Sequence, residues 1–206
     1  MRLWARLLNR LERQTWHIGR QWNYRRFVLF QKPRHRAVEL GKGVAFNVPV
    51  RGGQGTLRVG SDTMFGFPLA YRLGDGGIML QTRTPEAEIA IGRGNGFSNN
   101  TVLCAVAGIR IGDNCRIGDG VAVYDADFHE VNPATRDRSV GVVKPVVIGN
   151  NVWIGSRVMV LKGVTIGDNS VIGAMSLVTK DIPANCIAAG TPAKVIRAIE
   201  SEERKS

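Results

Sequence analysis

Apolar residues in the last third of the chain recur every six positions. Over 148–183 the sequence reads IGNNVW, IGSRVM, VLKGVT, IGDNSV, IGAMSL, VTKDIP, and the blocks open on Ile148, Ile154, Val160, Ile166, Ile172 and Val178. A helix would space its apolar residues three and four apart, and a half-buried strand would alternate them. A period of six fits neither and marks a structural repeat. One aliphatic residue per block is expected to point into a shared core. The glycine that follows it in four of the six blocks (Gly149, Gly155, Gly167, Gly173) is expected to let the backbone turn sharply there. Three blocks form one triangular coil of a solenoid, so this stretch makes two coils.

The same phase runs upstream through Ile91-Gly92, Phe97-Ser98 and Leu103-Cys104. It slips by two after Ile109 and resumes at Ile111-Gly112, Ile117-Gly118 and Val123. Short strand-like stretches at 44–46, 57–60 and 78–80 precede it. The polar residues 124–146 carry no six-residue signal and read as a loop extruded from a coil edge, the kind of segment that carries function on a rigid scaffold. Beyond the last block, Val195, Ile196 and Ile199 outline a short helix over 193–203 that would cap the open end of the solenoid. The expected fold is an all-β solenoid over 37–190, with a helical basic segment over 1–36 and a capping helix within 191–206.

Charge changes the picture only at the N-terminus. Of the formal +11, residues 1–36 contribute +9, ten Lys and Arg against the single acid Glu12. Leu3, Trp4, Leu7, Leu8 and Leu11 lie on one helical stripe, and Trp16, Trp22, Tyr24, Phe27 and Phe30 continue the aromatic trend. Such a helix can lie on an anionic membrane or pack on the solenoid end or a neighbouring subunit. Nucleic acid is not expected as a partner, because no recognition motif accompanies the basic cluster. No apolar run reaches the length of a membrane span, and Arg6, Asn9, Arg10 and Glu12 interrupt what a signal peptide would keep apolar. Cys104, Cys115 and Cys186 are odd in number and lack metal-site spacing, which points to buried thiols and a cytoplasmic protein.

From Ile109 to Arg197, and more weakly back to Val44, the chain resembles the hexapeptide-repeat acyltransferases, above all the sugar O-acetyltransferases of polysaccharide and O-antigen biosynthesis. The resemblance implies a left-handed parallel β-helix, an exception to the right-handed crossover rule. It also implies acetyl-CoA as co-substrate, no metal, a sugar or oligosaccharide acceptor, and a homotrimer with sites between subunits.

Acetyl transfer to a hydroxyl needs a base, and histidine is mostly neutral at pH 7. Of His17, His35 and His129, only His129 lies in the loop, where family members carry a histidine that deprotonates the acceptor. Asp125 or Asp127 can orient its imidazole, or serve as turn formers. Trp153 occupies a position whose indole lines the acceptor site in some relatives, or it packs on the coil. Ser98 stands where the family has an acceptor-binding asparagine, with Asn99 and Asn100 as substitutes. By the same resemblance Ser156 and Ala174 hold the pantetheine arm, and Thr179, Lys180 and Arg197 contact the nucleotide phosphates.

Three other functions on this scaffold fit less well. A zinc carbonic anhydrase needs three histidine ligands, and only His129 follows residue 35. A non-catalytic solenoid has no use for an extruded loop bearing histidine. A serine acetyltransferase carries a much longer helical N-terminal domain. An N-acetyltransferase of amino sugars stays open beside the O-acetyltransferase reading.

Overall fold

The computed structural model describes residues 18–67 and 74–200. The leucine stripe of residues 3–11, Trp16 and residues 201–206 lie outside them.

Six-residue blocks become three flat faces of a triangular solenoid. The first face stacks Ala37–Leu40, Thr56–Val59, Glu88–Ile91, Gly108–Ile111, Val146–Ile148 and Thr165–Ile166. The second begins at Ala45–Phe46 and Met64–Phe65, passes through Gly96–Phe97, Arg116–Ile117, Trp153–Ile154 and Val171–Ile172, and ends at Cys186–Gly190 and Ala193–Ala198. The third stacks Val50–Gly52, Ile78–Thr82, Val102–Ala105, Ala122–Tyr124, Met159–Val160 and Leu177–Val178. Within each face the coil-to-coil pairs are parallel.

Pairing register confirms the period. Ile91, Ile111, Ile148 and Ile166 stand directly above one another, as do Phe97, Ile117, Ile154 and Ile172, and Leu103, Val123, Val160 and Val178. All twelve are buried, so a shift of one residue in any coil would turn its core residue out to water. The second column continues upward in aromatic rings. Phe27, Phe46, Phe65 and Phe97 stack with centroids 4.9, 5.4 and 5.0 Å apart. Phe27 comes from a π-helical turn, Phe27–Gln31, that continues a helix over 18–26. The N-terminal segment therefore closes the first end of the solenoid with one aromatic stripe.

The block glycines do something other than turn the chain. Gly149, Gly155, Gly167 and Gly173 do not have positive φ. A Cβ on Gly155 would lie 2.7 Å from the Ala174 amide nitrogen, and one on Gly167 would lie 2.4 Å from that of Ala184. Successive coils approach too closely at these two corners, after the first face and after the second, for a side chain at the glycine positions. The sharp turn falls two residues later, three after each core residue, where Asn151, Arg157, Gly163, Asn169 and Met175 all have φ between 53° and 76°. Only two of these five, Arg157 and Met175, are residues that pay the ordinary left-handed penalty.

The end of the chain departs from expectation. Residues 193–198 form a strand antiparallel to Cys186–Gly190 instead of a helix. The supposed apolar face, Val195 and Ile196, is exposed. A helix this short is marginal without a buried face, whereas the strand covers the hydrogen-bonding edge that Cys186–Gly190 would otherwise leave open. The three cysteines are free and buried, as the reading of them as apolar fillers anticipated.

His35 shows what the N-terminal cap costs in acid. Its ring is buried beside Phe27, 6.3 Å between centroids, and leaves no room for a Cβ on Gly52. Burial lowers its pKa from the ordinary value, opposed by the nearby Gly55 backbone. The unfolded chain then binds a proton below pH ~6.5 that the folded chain refuses, so stability is full above that pH and declines as pH falls toward the lowered value. Melting temperature should drop between neutral pH and mild acid, with a shallower drop in His35→Gln. Parallel pH curves for the two proteins would remove His35 from the acid response.

Candidate active site

Residues 125–145 leave the corner between the third and first faces. Their neck is closed by an antiparallel bridge between Ala126 and Val143 and by the Lys144 amide donating to the Asp125 carbonyl at 2.8 Å. The Asp125 side chain turns away from the loop. Its carboxylate, fully buried, accepts the backbone N–H groups of Val106, Ala107 and Gly108 at 2.8, 2.8 and 2.7 Å. These amides belong to the corner of the preceding coil, where Leu103 and Ile111 are eight positions apart instead of six. The two-residue slip in the repeat is thus absorbed in a corner stapled by Asp125. Its side chain is committed there, which corrects the expectation that it orients the imidazole.

Asp127 pairs with Lys162. Lys162 follows Val160 by two as Asp125 follows Val123 by two, and the register between those valines brings it against the loop root. Phe128 adopts φ 64°. Its ring meets Tyr124 edge-on at 5.9 Å, and the Arg83 guanidinium lies 5.1 Å from its centroid. These contacts fix the residue immediately before His129.

His129 is 64% exposed at its side chain, with Nδ1 3.5 Å from Asp137 Oδ1. Gly141 lies so close behind that a Cβ there would meet the His129 carbonyl oxygen at 2.4 Å, and its φ is 69°. The loop therefore presents the imidazole on a backbone held by an aromatic contact on one side and a glycine on the other. Burial pushes the Cys104 and Cys115 thiols up, so neither offers a thiolate as nucleophile at neutral pH.

The remaining candidates divide between corners. Ser98, Asn99 and Asn100 lie at the corner between the second and third faces, in one column with Ser156 and Ala174. Backbone bonds step down that column from the Gly120 amide to the Asn99 carbonyl (3.0 Å), from Arg157 to Asp119 (2.8 Å) and from Met175 to Ser156 (2.9 Å). Asn99 is buried, and its amide group donates to the Phe67 carbonyl and accepts the Phe67 N–H, each at 3.1 Å. Asn100 takes the left-handed turn, φ 61°. Thr179 and Lys180 are exposed at the other corner, two coils beyond the loop, on the same edge as His129. Trp153 is 59% exposed on the second face, between Arg116 and Val171, so it projects from the coil rather than packing in it. Arg197 lies on the closing antiparallel strand, opposite Ile187.

One chain thus puts His129 on one edge and Ser156, Ala174 and the asparagines on another. Asp137, Lys162, Arg83 and Gly141 escaped the sequence reading. Lys162 was accessible through the repeat register; Asp137 and Gly141 sit in the aperiodic loop, where no register places them. Among the described residues no three His, Cys, Asp or Glu side chains gather as a metal site.

Two family models match the chain, bacterial transferase hexapeptide (six repeats) over 145–180 and the hexapeptide repeat of succinyl-transferase over 99–125. A galactoside O-acetyltransferase of Escherichia coli is 45% identical over 57% of this chain and 58% of its own length. A galactoside acetyltransferase solved in complex with coenzyme A is 32% identical, with TM-score 0.54, over 82% of this chain and 68% of that one. A hexapeptide-repeat acetyltransferase of Vibrio cholerae complexed with acetyl-coenzyme A is 28% identical, with TM-score 0.58, over 86% and 78%. The chain spans less than two thirds of the length of the first curated relatives it matches, 58%, 51% and 39%.

Proposed function

Because the chain belongs to the bacterial hexapeptide-repeat transferase family, we propose that it is an acetyl-CoA-dependent O-acetyltransferase that modifies a hydroxyl of a sugar or oligosaccharide. The observation that carries this reading is the exposed imidazole of His129 on a braced loop, with a carboxylate at Nδ1. A carboxylate on that side favours the tautomer that leaves Nε2 free to accept a proton, and it stabilises the cation formed.

Acetyl-CoA, when bound, supplies an activated thioester carbonyl. His129 takes the proton of the acceptor hydroxyl as its oxygen bonds to that carbonyl, then returns a proton to the departing sulfur. Ser156 and Ala174 present a small-residue corner at the surface that suits an extended pantetheine arm. Exposed Thr179, Lys180 and Arg197 supply hydrogen-bonding and cationic groups for its phosphates. Trp153 offers an exposed apolar plate for a sugar ring.

The division of these groups between two edges favours a homotrimer. In a three-fold ring two different patches of each subunit meet, which would bring the His129 edge of one subunit against the Ser156 edge of the next.

Incubation with acetyl-CoA and a panel of free, oligomeric and nucleotide-linked sugars, read by mass spectrometry, tests the reaction. The expected product gains one acetyl group, which mild alkali removes as an ester. An alkali-stable product formed only from amino sugars would replace the proposal with N-acetylation, and no acetylated product at all would defeat both.

Lys162 acts through Asp127 and the loop root. Both side chains are about a quarter exposed, 26% and 28%, so the pair is worth on the order of 1 kcal/mol. Lys162→Met should lower kcat by about fivefold with little change in the melting temperature. A kcat equal to wild type would mean that the pair does not position His129.

A further inference from the structure

The helix over 18–26 and the turn that follows it carry two opposite stripes. Gly19, Arg20, Asn23, Phe27 and Gln31 are buried or half-buried, and Phe27 lies on Phe46 of the first coil. On the far side, Ile18, Trp22, Arg25 and Leu29 follow one another at spacings of four, three and four, and all are exposed. Phe30 lies beside them, and it and Trp22 are 61% and 60% exposed. Large apolar side chains left in water on a contiguous face mark a docking surface.

The charges around this face identify what docks. Residues 13–38 contain no Asp or Glu, while Arg20, Arg25, Arg26, Lys32, Arg34 and Arg36 fall within 18–36. All of these six but Arg20, which is half-buried, are exposed. An interface between apolar and anionic layers suits such a face: Trp, Ile, Leu and Phe enter the acyl boundary while guanidinium groups meet the headgroups. No helix of the described residues is long and apolar enough to cross a membrane, so the face would lie on the bilayer without spanning it. Its position also fits. The stripe points away from the first coil, beyond the end of the solenoid, whereas a ring-forming neighbour would use the lateral faces and edges.

We propose that the exposed stripe Ile18–Trp22–Arg25–Leu29, with Phe30 and the surrounding arginines, is a docking surface for an anionic phospholipid bilayer. The full-length protein would be sedimented with vesicles of phosphatidylcholine containing phosphatidylglycerol, and with vesicles of phosphatidylcholine alone. Binding to the anionic vesicles is expected, weakening as salt rises. Arg25→Gln with Arg26→Gln should reduce the partition coefficient by about tenfold or more, and Trp22→Ser with Leu29→Ser by a similar factor. Both double variants should keep the wild-type melting temperature, because the replaced side chains are exposed, and the wild-type rate on a soluble acceptor.

Equal binding to neutral vesicles would overturn the charge half of the proposal. Undiminished binding of the Trp22/Leu29 variant would move the contact to another part of the chain. A change in the molar mass of that variant by light scattering would make the stripe a subunit contact and end the membrane assignment.

Discussion

His129→Ala should lower kcat/KM for acetyl transfer by roughly 10²–10⁴-fold, the range a positioned general base contributes, while leaving the fold intact. The imidazole is mostly exposed and the charged group paired with it, Asp137, is more exposed still, so its removal empties no core and orphans no buried partner among the described residues. Folding and catalysis therefore separate at this residue. The melting temperature should stay within about 2 °C of wild type, less than ~1 kcal/mol for a chain of this size. An alcohol is a poor nucleophile at neutral pH, so the loss should appear mainly in kcat. Turnover of the alanine variant within about tenfold of wild type would remove His129 as the base. An equal loss in an unfolded variant would leave the role undecided, so circular dichroism belongs beside the kinetics, and His129→Asn, closer in shape, gives a second reading.

Asp125→Ala should do the reverse. Three backbone N–H groups end on this one buried carboxylate, and a donor left without an acceptor costs about 1–3 kcal/mol. Water entering the vacated corner recovers part of this, so the expected loss is roughly 3–5 kcal/mol. That would lower the melting temperature by about 10 °C or more. Asp125→Asn keeps one acceptor oxygen but turns an N–H group toward amides that are themselves donors, so it should fall between. The staple closes the corner directly above the loop, and its loss should also slow acetyl transfer, by less than His129→Ala does. If Asp125→Ala melted like wild type and lost activity as fully as His129→Ala, the carboxylate would be a partner of the imidazole and the corner would be held by something else.

The two expectations concern residues four positions apart in YDADFHE, and nothing in that string distinguishes them. An aspartate two or four residues before a loop histidine looks equally suited to orienting it. Asp125 was drawn away because the corner above it has two residues too many, and only the stacking of coils brings that corner to its carboxylate. Asp127 was drawn to Lys162 by the same stacking. The carboxylate beside the imidazole, Asp137, comes from the far limb of the loop, which the repeat does not index.

The closing strand over 193–198 teaches a related point. Val195, Ile196 and Ile199 satisfy a helical spacing, yet an open strand edge was available at Cys186–Gly190, and backbone pairing outweighed a short amphipathic face. Local pattern lost to a neighbour that local pattern does not describe.

What the sequence alone determined is the periodic part. Ile148, Ile154 and Val160 recur in phase, and their equivalents a coil above and below stand in register with them, because one inward residue per flat face admits only one stacking that buries all the columns. That also determined where periodicity fails, and so where the loop that carries His129 leaves the solenoid. The tertiary structure alone decided the use of each corner: which glycine makes room for the next coil, which residue takes the left-handed turn, which carboxylate is consumed as a staple and which is left beside His129. Those choices depend on contacts between neighbouring coils, 16 or more residues apart, set by three-dimensional spacing and by the hydrogen-bonding needs of a neighbouring turn, and no single block contains them.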